Sequence, residues 1–445
     1  MQDLTGLTAA EAIERLARGD VTAVEMVDAC LDRIKHADGE IEAWAHLDPK
    51  FAREQAAEAD EFRKAGHPTG PLHGLPVAVK DIVDTRSLPT ENGTPLDAGR
   101  RPTADATVVS KLYRAGAVVL GKTVTTELAY FSPGKTRNPH DPTRTPGGSS
   151  SGSAAAVASR MAPLAIGTQT TGSVIRPAAF CGVVGFKPTH GLISRHGILR
   201  QSPHLDTVGV FARTVEDAAL LADALSGFDP GDPATCPAAA PRLTELARSE
   251  PPVTPSCALV RQPVWDQADE ATREAFAELK EFLGDGCDEV ELPSPFGNGH
   301  DIHRTIMTAD FAKNLGGYLD KGPGVVSTQM REAIEEGRTV LAADYNIALE
   351  WIEVLNAGLD ELFERYDAII TPAAPGEAPA GLDTTGNPAF CTLWTLCGTP
   401  AVTLPLLQGE NGLPVGVQLV ARRGDDGRLL RTARWLMEKV LEADA

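Results

Sequence analysis

The pattern of apolar and polar positions predicts helices at the start of the chain. Behind Thr8 and Thr22, apolar residues recur at helical spacing, and a glutamate follows each threonine three positions later, at Glu11 and Glu25. This arrangement is typical of a capping box, in which the two side chains hydrogen-bond free N–H groups at a helix start. We therefore predict two amphipathic helices that begin at these threonines.

From about residue 70 the pattern changes to short apolar runs separated by glycine and proline, which is typical of buried strands. The elements predicted in this stretch are strands Pro76–Val79, Ala117–Leu120 and Pro163–Ile166, and helices Asp105–Arg114 and Ser153–Arg160. Strands that alternate with helices predict an α/β fold built on a mostly parallel or mixed sheet.

The second half of the chain continues this alternation after an interruption. Asp229–Ser256 is rich in proline and alanine, so we predict a surface excursion there. The elements predicted after it are strand Cys257–Val260, helix Ala268–Leu283, strands Glu289–Leu292, Tyr366–Thr371, Ala401–Pro405 and Val415–Ala421, and helix Arg428–Glu442. We expect one domain over 1–445: N-terminal helices (1–65), a core (66–228), a variable surface region with a mobile flap (229–330), and a C-terminal part completing the sheet (331–445).

Composition and charge narrow the class of protein. Hydrophobic residues make up 42% and charged residues 23% of the chain, as in globular proteins, and no apolar run is long enough to span a membrane. The first residues lack the basic and apolar segments of a secretory signal, so we expect a cytoplasmic protein. A net charge of −20 repels phosphate backbones, which argues against nucleic acid as a partner.

Cysteine usage gives no sign of a disulfide framework or a zinc site. The chain has seven cysteines, an odd number, and none of them forms a C-x-x-C pair. We expect reduced and mostly buried thiols, and neither a metal nor an organic cofactor.

Three short motifs match known patterns in the wrong structural setting. Gly116–Thr123 fits the phosphate-loop pattern G-x-x-x-x-G-K-T, but its middle residues form an apolar strand that follows a helix. Gly148–Gly152 fits G-x-S-x-G without a strand before it, and Ser132–Lys135 fits S-x-x-K with a poor helix start. We interpret all three as chance matches, and a nucleotide-binding protein built around Lys122 remains a remote alternative.

A Gly/Ser-rich run, Gly147–Ala156, leads directly into an alanine-rich helix. Alone it would be interpreted as a flexible linker, but it lies in the middle of the α/β pattern. There it places N–H groups and hydroxyls at a helix N-terminus, where negative charge is stabilised. Ser173 follows Ser149 by 24 positions, and Lys80 ends the apolar run that begins at Pro76.

These three elements, in this order and spacing, resemble the amidase-signature family closely. The resemblance covers most of the chain, is strongest from about 70 to 215, and recurs near Gly398–Val402 and Gly412–Leu419. It implies the amidase-signature fold, a central mixed or mostly parallel sheet covered by helices on both faces. The roles it implies are nucleophile for Ser173, bridging serine after a cis peptide bond for Ser149, base for Lys80, and oxyanion hole for the backbone N–H groups of Thr170, Thr171, Gly172 and Ser173.

The chemistry requires Lys80 to be neutral. An unperturbed lysine has a pKa of ~10.4, and burial favours the uncharged amine and lowers that value. A neutral Lys80 could take the proton of Ser173 through Ser149 and later return it to the leaving amine. The alternative is a structural ion pair between Lys80 and Asp81 or another acid.

The residues around Ser173 depart from the usual family pattern. Thr168–Ser173 reads Thr-Gln-Thr-Thr-Gly-Ser where many members have Thr-Asp-Thr-Gly-Gly-Ser, and Ser151 replaces a frequent glycine. Arg176 stands three residues after the nucleophile, as in malonamidase-like members, where the matching arginine holds a substrate carboxylate. We favour the alternative, in which Arg176 is structural and pairs with a protein carboxylate such as Asp206.

The substrate pocket is the least determined feature. Candidate lining residues are Tyr130, Phe131, Trp394 and apolar residues around Ile302–Leu319, each of which could also be ordinary core. We expect a serine hydrolase that cleaves small amides, anilides or carbamates (urethanes), as a monomer or homodimer whose partner is its small-molecule substrate. The alternatives are the A subunit of a glutamine-dependent tRNA amidotransferase, against which the acidic charge argues, and a non-catalytic relative.

Overall fold

The alternating pattern forms one mixed sheet in the computed structural model, which describes residues 3–443. Its strands are β1 (Trp44–Leu47), β2 (Pro76–Lys80), β3 (Val118–Thr123), β4 (Leu164–Gln169), β5 (Val184–Lys187), β6 (Thr207–Ala212), β7 (Cys257–Arg261), β8 (Cys287–Glu291), β9 (Ala368–Pro372), β10 (Ala401–Gln408) and β11 (Pro414–Val420). Each strand predicted from the sequence is present, with ends shifted by at most a few residues.

The α-helices follow the same order along the chain. They are α1 (Ala9–Arg18), α2 (Ala23–Ile41), α3 (Pro49–Lys64), α4 (Thr107–Arg114), α5 (Ser151–Ala158), α6 (Ile175–Cys181), α7 (Val215–Leu225), α8 (Leu243–Arg248), α9 (Glu270–Leu283), α10 (Gly299–Asn314), α11 (Gly316–Lys321), α12 (Thr328–Gly337), α13 (Ala342–Phe363), α14 (Ala389–Leu396) and α15 (Asp426–Ala443). Both predicted capping boxes are confirmed, at Thr8 with Glu11 and at Thr22 with Glu25.

The sheet order across the described residues is β1-β3-β2-β4-β6-β5-β10-β11-β9-β7-β8. Strand β2 lies between β3 and β4 and is parallel to both, whereas β4 and β6 are antiparallel. Because parallel strands end at the same edge, Lys80 at the end of β2 comes beside the last residues of β4. Two separate groups of helices cover the sheet, with α5 and α6 in one and α7 and α15 in the other.

The region predicted as a variable surface with a flap, 229–330, takes a larger part in the fold. Its strands β7 and β8 extend the sheet in parallel with β9, and helix α10 packs against α12, α13 and α14. Within this region, only Asp229–Ser256 resembles the predicted surface excursion, and its helix α8 packs against α7 and α15. No helix in the described part of the chain is long and apolar enough to cross a membrane.

Candidate active site

The Lys80 side chain lies fully buried at the end of β2 and has no acidic partner among the described residues. Its Nζ donates to Ser149 Oγ at 2.8 Å and to Thr168 Oγ1 at 2.9 Å. Burial lowers the pKa of Lys80 well below its ordinary value, against a smaller opposing effect of Asp206. The amine is therefore held in a site that favours its neutral form, one hydrogen bond from Ser149.

Asp81, the neighbour of Lys80 in sequence, pairs with a different lysine. Its Oδ1 lies 3.2 Å from Nζ of the fully buried Lys122, which also donates to Val83 O and Thr90 Oγ1 at 2.7 and 2.6 Å. The alternative of a Lys80–Asp81 ion pair is therefore wrong. So is the nucleotide-binding alternative, because Lys122 is a residue of β3 whose amine holds the adjoining loop rather than a phosphate.

The Gly/Ser run is part of the core and not a linker. Ser150 Oγ exchanges hydrogen bonds with the N–H and C=O of Thr168, and Ser153 Oγ donates to Ile166 O at 2.9 Å. A side chain at Gly152 would place its Cβ 2.2 Å from Ala43 O, so the helix start packs directly on neighbouring backbone. The peptide bond between Gly148 and Ser149 is cis.

Ser173 lies in the turn between β4 and α6 and lines a small cavity. The structure joins Lys80 to Ser149, but within residues 3–443 it shows no hydrogen bond between Ser149 Oγ and Ser173 Oγ. The second contact of the predicted relay is therefore not made here. Catalytic hydrogen bonds commonly tighten only when substrate is bound.

The backbone N–H groups of Thr170, Thr171, Gly172 and Ser173 donate to no acceptor in the described chain, whereas those of the next two residues are taken by Gln169 Oε1 at 2.9 and 3.0 Å. A row of free N–H groups at a helix start suits an oxyanion. A Cβ at Gly172 would lie 2.8 Å from Pro388 Cβ, which explains the glycine.

Arg176 is buried and has no carboxylate partner among the described residues. Its guanidinium donates to Gly148 O at 2.7 Å and to Gly386 O, stacks 5.8 Å from the Phe131 ring, and leaves Nε without a partner. The predicted pair with Asp206 is wrong, because that carboxylate accepts instead from Thr170 Oγ1 and two backbone N–H groups. Burial lowers the pKa of Arg176 to about 10, so the charge persists at neutral pH.

The cavity beside Ser173 is narrow and has a mixed lining of polar, aromatic and other apolar side chains. Its lining includes Tyr130, Phe131, Met307 and Phe311. The volume open to the centre of a water molecule is about 10 Å³, which is room for roughly one water. The Tyr130 and Phe311 rings meet edge to face at 5.0 Å. The prediction that Trp394 lines the cavity is wrong, because this side chain lies fully buried in the apolar cluster around α10 and α14 and does not reach the cavity.

Sequence reasoning missed the roles of three residues that hold the site together: Thr168 and Gln169 were named only as part of the motif, and Asp206 only as a partner for Arg176. The first two stand within the motif that was singled out, so their polarity on a buried strand was an available signal. Asp206 carries no motif of its own, and its position beneath the loop comes from the pairing of β4 with β6. Burial raises the pKa of Asp206 to about 6, against the lowering effect of its hydrogen bonds.

The described residues contain no cluster of three or more histidine, cysteine, aspartate or glutamate side chains that could hold a metal ion. The groups gathered at the site are an amine, hydroxyls, amide N–H groups and a guanidinium. Groups of these kinds can transfer protons and stabilise negative charge.

Comparisons with known proteins agree with this chemistry. The family model Amidase matches residues 25–430. The A subunit of glutamyl-tRNA(Gln) amidotransferase from Salinispora arenicola is 36% identical over 484 aligned residues, which cover 99% of this chain and 98% of that protein.

Two solved structures are similar over nearly the whole chain. One is described as an unexpected vestigial protein complex that reveals the evolutionary origins of an s-triazine catabolic enzyme, with a TM-score of 0.90, 30% identity and 99% of each chain covered. The other is the native peptide amidase of Stenotrophomonas maltophilia, with a TM-score of 0.85, 30% identity and coverage of 98% and 97%.

We predict that Lys122→Met destabilises the fold strongly, because it leaves Asp81 buried without its ion-pair partner. The expected loss in the free energy of unfolding is about 3–5 kcal/mol, measured by urea denaturation. The double variant Lys122→Met/Asp81→Asn should recover part of this loss. Unchanged stability of the single variant would contradict this assignment, as would a melting temperature that Mg-ATP raises in the wild type and not in Lys122→Met.

Proposed function

The chain belongs to the amidase-signature family, whose members cleave C–N bonds, and we propose that it hydrolyses a small amide that carries a carboxylate, through an ester formed on Ser173. The observation that carries the proposal is the buried Lys80 amine, which is hydrogen-bonded to Ser149 and has no acidic partner within residues 3–443. Desolvation favours the neutral form of such an amine, and the neutral form is the one that can accept a proton.

The reaction begins when Ser173 Oγ attacks the amide carbonyl. Its proton passes to Ser149, which in turn gives its own proton to the Lys80 amine. The carbonyl oxygen becomes an oxyanion and is stabilised by the free N–H groups of the loop that precedes α6.

The tetrahedral intermediate then collapses, the C–N bond breaks, and the leaving amine takes the proton back from Lys80 through Ser149. Water attacks the remaining ester in the same site, the acid is released and Ser173 regains its proton. No group outside the chain, apart from substrate and water, is needed for this sequence.

Arg176 supports a carboxylate on the substrate. A buried charge is normally paired, and this guanidinium has only neutral carbonyls as partners in the described chain. It lines the same cavity as Ser173, so an anionic group bound there would supply the missing counter-charge. Anilides and carbamates (urethanes) need the same nucleophile and oxyanion hole but lack this anion, and we rank them below carboxylate-bearing amides.

A second candidate function is the A subunit of a tRNA-dependent amidotransferase. The 36% identity with proteins of that name favours it, and by name these relatives fit it better than a stand-alone hydrolase. Glutamine is itself an amide with a carboxylate, so the chemistry at Ser173 would be the same. The difference lies in the partners, and the expectation of a monomer or homodimer with only a small-molecule partner stays a prediction.

We predict that the purified protein hydrolyses malonamate or glutamine in preference to an aryl anilide, an aromatic primary amide or an aryl carbamate. Ser173→Ala should lower kcat by at least about 10⁴-fold, because the nucleophile is lost. Ser159→Ala, which removes a buried hydroxyl without a hydrogen-bond partner, is the matched control and should keep its activity. Turnover that persists in Ser173→Ala would overturn the mechanism. Glutamine hydrolysis that is slow in the chain alone would favour the second candidate function.

Arg176 should decide the preference for an anionic substrate. In the wild type, kcat/KM for malonamate should exceed that for the neutral propanamide by at least about 10-fold, which corresponds to about 1.4 kcal/mol. Arg176→Met should remove this preference, and Arg200→Met, at an exposed arginine, should keep it. The ratio within one variant is independent of how much of it folds. A ratio that survives in Arg176→Met would show that the arginine is structural.

A further inference from the structure

Three consecutive carbonyl groups of the loop before α6 are each held by a hydrogen bond, two of them from side chains on helices α10 and α14. Thr170 O lies 2.9 Å from Nε2 of His303, and Thr171 O accepts from Thr395 Oγ1 at 2.6 Å. Gly172 O accepts from the backbone N–H of Arg176 at 3.0 Å, as the first turn of α6 forms.

Because the peptide bond is planar, these contacts also fix the direction in which the neighbouring N–H groups point. In a trans peptide the C=O of one residue and the N–H of the next point in opposite directions. The cis bond of the described chain lies elsewhere, before Ser149. A carbonyl fixed on one side therefore directs the following N–H to the other side. The N–H groups set in this way belong to Thr171, Gly172 and Ser173, and none donates to a described acceptor.

We propose that His303 and Thr395 are positioning residues that orient the oxyanion-binding N–H groups of Thr171 and Gly172. The proposal rests on the proposed function, since it assigns these residues to the reaction at Ser173. Neither residue touches the reacting atoms. Each acts by holding one peptide plane of the loop.

The hydrogen-bonding state of His303 follows from its partner. The residue is 3% exposed on α10, and a carbonyl oxygen can only accept, so Nε2 carries a proton. Burial lowers the pKa of His303 to about 4, which keeps the ring neutral at physiological pH. The ring is thus a neutral, directional donor to Thr170 O.

Thr395 links two parts of the loop. Its hydroxyl accepts from Gln169 Nε2 at 2.9 Å and donates to Thr171 O, with Cys391 O as a more distant acceptor at 3.2 Å. Gln169 in turn holds the N–H groups of Val174 and Ile175 through its Oε1. One hydroxyl on α14 therefore connects the loop to the residue that anchors the start of α6.

The test compares Thr395→Val, which removes the hydroxyl, with Thr395→Ser, which keeps it. Thr399→Val is the matched control, because Thr399 is an equally buried threonine that donates to Trp394 O and does not touch the loop. Two assays are used. The first measures kcat and KM for the preferred amide, and the second measures the rate at which an alkyl fluorophosphonate phosphonylates Ser173, monitored by intact-protein mass spectrometry. The phosphonyl oxygen uses the same N–H groups without needing the natural substrate.

Thr395→Val should lower both kcat and the labelling rate of Ser173 by at least about 10-fold, since loss of one oxyanion donor costs 10²–10³-fold and misorientation costs part of it. KM should stay within about threefold, and Thr395→Ser and Thr399→Val should remain near wild type. His303→Leu should act like Thr395→Val, and His303→Gln, which keeps an N–H donor, should retain more activity.

Two results would overturn the proposal in distinguishable ways. If Thr395→Val is labelled at the wild-type rate, or Thr399→Val is slowed as much, the hydroxyl has no positioning role and the proposed function stands. If the wild type is not labelled on Ser173 at all, the proposed function fails and the positioning role falls with it.

Discussion

The site depends on a lysine amine that is buried without a counter-ion in the part of the chain that the structure describes. Lys80 has an acidic neighbour in sequence, but successive residues of a strand point to opposite faces, and Asp81 is engaged by Lys122 of β3. The Lys80 amine is left with two hydroxyls, those of Ser149 and Thr168. Desolvation then favours its neutral form, and the rest of the site is arranged around that base.

Near Ser173, too, an acidic and a basic side chain do not pair with each other. Asp206 is occupied by Thr170 Oγ1 and backbone N–H groups, so it does not neutralise Arg176. The cavity is therefore lined by a positive charge and free N–H groups, and no carboxylate among the described residues lines it. A site of this kind can stabilise an oxyanion and an anionic substrate group. The negative net charge of the whole chain does not determine this local property.

Much of the fold and the centre of the site could be predicted from the sequence. Apolar runs bounded by glycine and proline located the strands, and the three motif elements gave Lys80, Ser149 and Ser173. The missed features depend on long-range packing. His303 lies in the region predicted as a variable surface, within Ile302–Leu319, where only apolar residues were pocket candidates, and the packing of α10 against α14 brings this polar side chain to the loop. The partner proposed for Arg176 and the position of Trp394 were wrong for the same reason, since local sequence does not define which side chains meet across helices.

The measurement that tests this account most directly is the titration of Lys80 by NMR in protein labelled with ¹³C at the lysine ε-carbon, with the resonance assigned by its loss in Lys80→Met. The account predicts a pKa well below the ordinary lysine value, with the amine neutral at the pH of catalysis. A Lys80 resonance that titrates near ~10.4, the value of an unperturbed lysine, would contradict the account, because no neutral base would then be available to Ser149.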